Sequence, residues 1–200
     1  MGNQPTRRSL RHAGRTRTQV GDWALRAIKL KTPHRCGIAL GSNIGDRFAH
    51  LRAGQTALAR LHTGPGAPLI SRVYETDPVD CEPGTAPYLN AVAEIATDLE
   101  PLELLRALQE IEHAQGRPIE HGHNTPRTLD LDLLYAGDLT FKHPELTVPH
   151  PRLTIRRFVL QPLSDLRPTL ILPGTHQTVT ELLAALPPSP SVHSWGEFPR

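Results

Sequence analysis

The chain has 200 residues, with 20 prolines, 15 glycines, 4% aromatics and a formal net charge of +2. That length suits one domain with a sizeable core and loose ends, and so few rings argue against a nucleic-acid surface built on base stacking. No apolar run approaches the roughly 18 residues of a membrane span, so neither nucleic acid nor membrane is an expected partner.

The two cysteines, Cys36 and Cys81, form no metal-ligand cluster and no disulfide framework. A reducing, cytoplasmic setting is therefore the expectation. Charge is unevenly spread. Nine of the 22 Lys/Arg lie within residues 1–35 beside a single acid, Asp22, which leaves the body of the chain at about −6. Residues 1–34 read as a basic, disordered extension whose composition overlaps that of organelle transit peptides. The domain itself is expected over 35–186, with 187–200 (PPSPSVHSWGEFPR from Pro187) as a disordered, proline-rich tail.

CGIAL, from Cys36, opens the domain as a short apolar strand. GSNIGD follows as a turn, and DRFAHLRAGQTALARLH as a helix, with Asp46 as its cap and Phe48, Leu51, Leu58 and Leu61 at helical spacing. GPGAP ends that helix. LISRVYET and YLNAVAEIATD are strand-like on either side of a long DPVDCEPGTAP loop, with Leu89, Ala91, Ala93 and Ile95 sharing one face. Glu100-Pro101 starts a second helix, with proline where its missing N–H costs nothing, and Leu102, Leu105, Leu108 and Glu112 mark its length. After the GRPIEHGHNTP loop come the strand DLDLLY, a Pro/His-rich connection, the apolar FVLQPL and a short helix TVTELLAAL. The order β-α-β-β-α-β is the split βαβ, ferredoxin-like arrangement: an α+β fold with an antiparallel sheet and helices on one face. The other face is then free to carry a site.

The strand DLDLLY places Asp130 and Asp132 on one side, about 6–7 Å apart at Cα. Strands disfavour aspartate, and this repulsion is of order 2–3 kcal/mol at an effective dielectric near 20. Water or an arginine could absorb it on an open face; a divalent cation would absorb it better, and hard oxygen ligands of this kind suit Mg²⁺. Arg127 lies three residues upstream, Arg117 in the preceding loop, and Arg156 and Arg157 at the start of the next apolar segment. Carboxylates for a metal with arginines for phosphate oxygens are the usual parts of phosphoryl-type transfer. No G-x-x-x-x-G-K-[ST] is present, so this is not a P-loop protein. GSNIG reads as a phosphate cradle or, more simply, as a tight strand-to-helix connection. Tyr88 and Asn90 share a strand face, an aromatic plate beside an amide apt for a flat heterocycle; a sheet-edge tyrosine with a structural asparagine is the plainer reading. His150, in VPHP, is either a phosphate contact or a structural loop histidine.

ALGSNIGDR, YETDPVD, PYLNAV, PRTLDLDLL, LTVPHPRL and RRFVLQPL, in that order from about Cys36 to Pro173, resemble the 6-hydroxymethyl-7,8-dihydropterin pyrophosphokinases of folate biosynthesis. The resemblance implies the same ferredoxin-like fold and a cytoplasmic, monomeric enzyme. Its implied reaction is transfer of pyrophosphate from ATP, as co-substrate, to the hydroxymethyl group of the pterin, with release of AMP. By position, Asp130 and Asp132 correspond to carboxylates that hold two Mg²⁺ ions. Arg117, Arg127, His150 and Arg156 correspond to catalytic and ATP-phosphate contacts, and Glu112 and Thr147 to further nucleotide contacts. Tyr88 and Phe158 resemble the rings that sandwich the pterin, and Thr76, Asn90 and the backbone around Val79 the groups that read its edge. The sequence departs from some relatives at Ile119, His123 and Asn124, where an arginine and a basic-aromatic pair are found. That departure motivates the alternative of a non-catalytic nucleotide- or pterin-binding module; RNA binding by the sheet is a more distant option.

Overall fold

The computed structural model describes residues 33–77, 84, 86–116, 127–189 and 191–199. Strand β1, His34–Ser42, leads into helix α1, Arg47–Leu61. The turn between them needs Gly45, whose φ of +67° is the left-handed region that residues with a Cβ rarely adopt. Asp46 then caps α1, its Oδ1 accepting the Ala49 N–H at 3.0 Å. Strands β2 (Leu69–Ile70), β3 (Val73–Thr76) and β4 (Tyr88–Thr97) follow, and α2 (Pro101–Ala114) begins with a Glu100/Glu103 capping box and proline in its first turn. Strand β5, Asp130–Ala136, precedes a small hairpin, β6 (Phe141–His143) and β7 (Leu146–Val148). Helices α3 (Arg157–Leu166) and α4 (Val179–Ala185) and a last strand, β8 (Val192–Gly196), complete the chain order.

The sheet is antiparallel in the order β5-β1-β4-β3-β8, with β2 also on β4. Strand periodicity sorts its side chains into two layers. Cys36, Ile38, Leu40, Leu89, Ala91, Ala93, Ile95, Leu131 and Leu133 face α1 and α2 and pack against Leu51, Leu58, Leu104 and Leu108. Helix α1 comes so close that a Cβ on Gly54 would lie 3.1–3.3 Å from Leu129 and Leu40. In α2 the inward residues are Leu104, Leu108 and Glu112; Leu102 and Leu105, expected on that stripe, stand half-buried beside it.

The opposite face is not bare. FVLQPL is helical, and α3 and α4 lay Val159, Leu160, Leu163, Val179 and Leu182 over Val92, Leu134 and Tyr135. A bulge in β5, where the register against β1 jumps from Ile38↔Leu133 to Gly37↔Tyr135, turns both Leu134 and Tyr135 into this second layer. Tyr135 lies across Gly37, where any Cβ would fall inside its ring. The end of this face that carries Asp130, Asp132 and Asn90 keeps an opening.

The C-terminal segment corrects the expectation of a disordered tail over 187–200. Val192–Gly196 pairs antiparallel with β3, Val192 opposite Thr76. Phe198 is buried, and Phe48 of α1 packs between Trp195 and Phe198 with ring centroids 4.8 and 5.7 Å away. The two aromatics anchor a strand too short to announce itself among prolines. At the other end, His34 already pairs with Thr97, so the sheet begins one residue inside the stretch read as a basic extension; residues 1–32 lie outside the described residues.

Candidate active site

The open end of the sheet is built on small residues. Gly41 of β1 pairs with Asn90 of β4 on one side and Asp130 of β5 on the other, and Ala39 pairs with Asp132. All five project to one face, so Ala39 and Gly41 form a floor between two carboxylates and a carboxamide, with Phe158 from α3 as a wall. The enclosed slot is about 30 Å³. A Cβ on Gly41 would enter it, 3.5 Å from the Asn90 Oδ1.

Charge converges on this slot. Arg127 Nη1 donates to Asp130 Oδ1 at 2.6 Å, and Arg156 Nη1 stands 3.7 Å from Asp132 Oδ2 while its guanidinium lies over the Phe158 ring. Burial and then the neighbouring Asp130 charge push the Asp132 carboxyl above the usual aspartate range, against the pull of His150, Arg156 and Arg127. The repulsion anticipated from strand spacing is thus only partly relieved by the arginines. Burial holds the His150 imidazole below its ordinary value, with Asp132 acting in the opposite direction. Its Nδ1 accepts the Arg152 N–H at 3.1 Å, which assigns the neutral ring's proton to Nε2.

Asn90 is buried and donates through Nδ2 to Thr76 Oγ1 at 2.7 Å, linking two of the expected ring-edge residues. Tyr88 is the first residue of β4, opposite Thr76 and on the same strand face as Asn90. Glu112 is buried on α2, and its Oε1 accepts the Leu131 N–H at 2.7 Å, on the peptide between the two aspartates. It therefore braces the strand that carries them. Thr147 sits on β7 opposite Lys142, in the hairpin leading to His150. Arg117 and Val79 lie outside the described residues.

Three residues are not singled out by the sequence, although Gly41 and Asn43 lie in the GSNIG weighed as a phosphate cradle. Asn43 is 4% exposed and forms a reciprocal pair with Arg127: its Oδ1 accepts the Arg127 N–H at 2.7 Å, and its own N–H donates to the Arg127 carbonyl at 3.1 Å. Ala39 and Gly41 make the floor. The available signal was GSN directly after an apolar strand, a turn whose polar side chains fold back on the next element. Around it, Ser42 Oγ, Asn43 Nδ2, Arg127 Nε and Thr128 Oγ1 are buried without a hydrogen-bond partner among the described residues. Orphaned donors of this kind beside paired carboxylates suit an incoming polyanion with its cation.

No group of three or more His, Cys, Asp or Glu that could hold a metal occurs among the described residues. Two carboxylates alone do not make a closed cage. They fit Mg²⁺, which takes one or two protein carboxylates and completes its shell with water and phosphate oxygens. A larger cavity of about 460 Å³ lies at the far end of the sheet, lined by Arg35, His62, Leu69, Glu94 and Arg167. Its carboxylate and guanidiniums already bind each other, so volume there comes without unmet charge, and the smaller slot is the stronger candidate.

Residues 37–168 match the family described as 7,8-dihydro-6-hydroxymethylpterin-pyrophosphokinase. The chain is 46% identical over 129 residues to the 2-amino-4-hydroxy-6-hydroxymethyldihydropteridine pyrophosphokinase of Bacillus subtilis, covering 64% of this chain and 75% of that one. It is 44% identical over 157 residues to the enzyme of the same name from Pseudomonas aeruginosa, covering 76% and 92%. With the folic acid synthesis protein fol1 of Schizosaccharomyces pombe it shares 41% identity over 152 residues, but spans only 20% of that longer protein. Among solved structures, an HPPK-DHPS in complex with substrates superposes with a TM-score of 0.61 at 12% identity, over 77% of this chain and 43% of that one; this is a likeness of fold. No helix among the described residues is long and apolar enough to cross a membrane.

Proposed function

Because the chain belongs to the 7,8-dihydro-6-hydroxymethylpterin-pyrophosphokinase family, we propose that it transfers the terminal pyrophosphoryl group of ATP to the hydroxymethyl oxygen of 6-hydroxymethyl-7,8-dihydropterin. AMP leaves, and the product serves folate biosynthesis. In this reading the pterin oxygen bonds to the β-phosphorus as the bridging bond to the α-phosphate breaks, and the hydroxyl proton passes to water. A cytoplasmic monomer belongs to the same reading.

Asp130 and Asp132 would hold Mg²⁺, two ions in this proposal, which would supply charge cancellation at the phosphates and activation of the alcohol. Arg127 swings its guanidinium from Asp130 toward phosphate oxygens, with Arg156 and Arg117 as further partners; His150 presents Nε2–H as a neutral donor. Glu112 keeps the aspartate-bearing strand in place, and Thr147 lies on the nucleotide side. Tyr88 and Phe158 supply ring faces. Asn90, Thr76 and the backbone near Val79 fill the ring's hydrogen-bonding edge, where each unpaired buried group would cost about 1–3 kcal/mol. The slot must widen to admit a bicyclic ring, and Phe158 is the wall placed to turn.

The observation that carries this reading is the register that sets Asp130, Asp132 and Asn90 around the Ala39–Gly41 floor. Incubation with ATP, Mg²⁺ and the pterin alcohol tests it: AMP and the pterin diphosphate are expected. ADP in place of AMP would make the protein a simple kinase. Tight binding of both substrates with no turnover would make it a non-catalytic binding module.

A further inference from the structure

Arg47 breaks a local rule. It is the first residue of α1, a helix with no acid in its first turn, and a cation there opposes the positive end of the helix dipole. The side chain is only 26% exposed, and its Nη1 makes two contacts at once. One is to the Glu75 carboxylate at 2.8 Å, the other to the Pro87 carbonyl at 2.7 Å.

These are not arbitrary partners. Glu75 directly precedes Thr76, and the Pro87 carbonyl belongs to the peptide whose nitrogen is that of Tyr88. Thr76 and Tyr88 are the last paired residues of β3 and β4. Among the described residues that rung is the end of the β3–β4 pairing, and the segment from 77 to 87 joins the two strands. The guanidinium grips both sides of the junction from the α1 layer, on the face away from the slot. Its bond to the Pro87 carbonyl bears on the Pro87–Tyr88 peptide plane, and so on the direction in which the Tyr88 ring leaves the backbone, while its bond to Glu75 holds the neighbour of Thr76, to which Asn90 donates. The guanidinium's two partners among the described residues belong to β3 and to the residue before β4, while β5 lies beyond β4 and β1.

We propose that Arg47 is a positioning residue for the pterin end of the site, selective for the ring over the nucleotide; this rests on the function proposed above. An exposed ion pair alone would contribute little, since Glu75 is 37% exposed. The charge-assisted bond to Pro87 carries the effect.

The test measures dissociation constants for the pterin alcohol and for a non-hydrolysable ATP analogue with Mg²⁺, together with melting temperature, in the parent protein and in Arg47→Ala, Arg47→Lys and Glu75→Gln. Arg47→Ala is expected to weaken pterin binding about tenfold, or ~1.4 kcal/mol, with analogue binding unchanged within about twofold. Arg47→Lys keeps a donor for Pro87 and recovers most of the loss, and Glu75→Gln weakens the pterin only about two- to threefold. Should Arg47→Ala not fold, the selective loss in Glu75→Gln carries the same test. Equal weakening of both ligands in step with melting temperature, or pterin affinity untouched in all variants, overturns the clamp. A parent protein that binds the analogue and not the pterin overturns the functional reading itself, and the clamp falls with it.

Discussion

Two carboxylate centres share one face of the sheet, at opposite ends. At the first, Glu94 of β4 is 4% exposed and accepts from Arg35 at 2.8 Å, Arg167 at 2.6 and 3.0 Å, and the Tyr135 hydroxyl at 2.8 Å. Burial alone would raise its carboxyl; those hydrogen bonds outweigh it and bring the group down to about 2. At the second, Asp130 and Asp132 also meet two arginines, yet Asp132 ends above its ordinary range. One centre is finished and ties β1, β4, β5 and the end of α3 together. The other keeps its like-charge conflict and a fringe of orphaned donors, which the proposed cation and nucleotide would satisfy.

The largest expected effect breaks the unfinished end. Asp132→Ala should lower turnover by at least about 10³-fold while pterin affinity stays within a few-fold, as read by steady-state kinetics and calorimetry. Near-normal turnover would remove the aspartate pair from the metal role. At the finished end, Glu94→Gln should cost about 2 kcal/mol of stability, because the buried carboxylate's charge-assisted bonds to the solvated Arg35 and Arg167 become neutral ones, with turnover per folded molecule preserved. The sign with pH is fixed. A carboxyl depressed in the folded chain contributes stability above its unfolded value of about 4.3, and the contribution is lost as pH falls toward 2. The parent's acid unfolding limb should therefore be steeper there than the variant's.

Tyr88→Ala sharpens the contrast from the ring side. A loss of about 1–2 kcal/mol in pterin affinity is expected from missing stacking, and unchanged affinity would take the ring out of the site. The smallest effect is the most diagnostic. Asp132 holds its proton to higher pH folded than unfolded. Stability is thus lost as pH rises from about 3.9 to the raised value, and the deficit persists at neutral pH. Asp132→Asn should melt slightly higher than the parent at pH 7, with the gap closing on acidification. A lower melting temperature would mean that the arginines had already balanced the pair.

Much of this layout could be read from period and punctuation. Two-residue alternation placed Asp130 with Asp132 and Tyr88 with Asn90, and Asp46 and Glu100-Pro101 marked where helices begin. What escaped depended on partners distant in sequence. FVLQPL is an apolar run with a proline, and only the second layer over Val92 and Tyr135 makes it helical. Strand β8 needs β3 beside it and Phe48 beneath its aromatics. Glu112 looks like any helix residue until β5 sets the Leu131 amide against it. Asn43 likewise meets Arg127 from 84 positions away.

With β8 laid along β3, β8 forms one rim of the sheet and β5 the other. An uncovered rim is where foreign strands add and aggregation begins. Here the outward Leu131 N–H is taken by Glu112 and the Leu134 carbonyl by the His150 N–H. The helix and the loop that flank the candidate site thus also leave fewer free backbone groups along β5 for another strand to pair with.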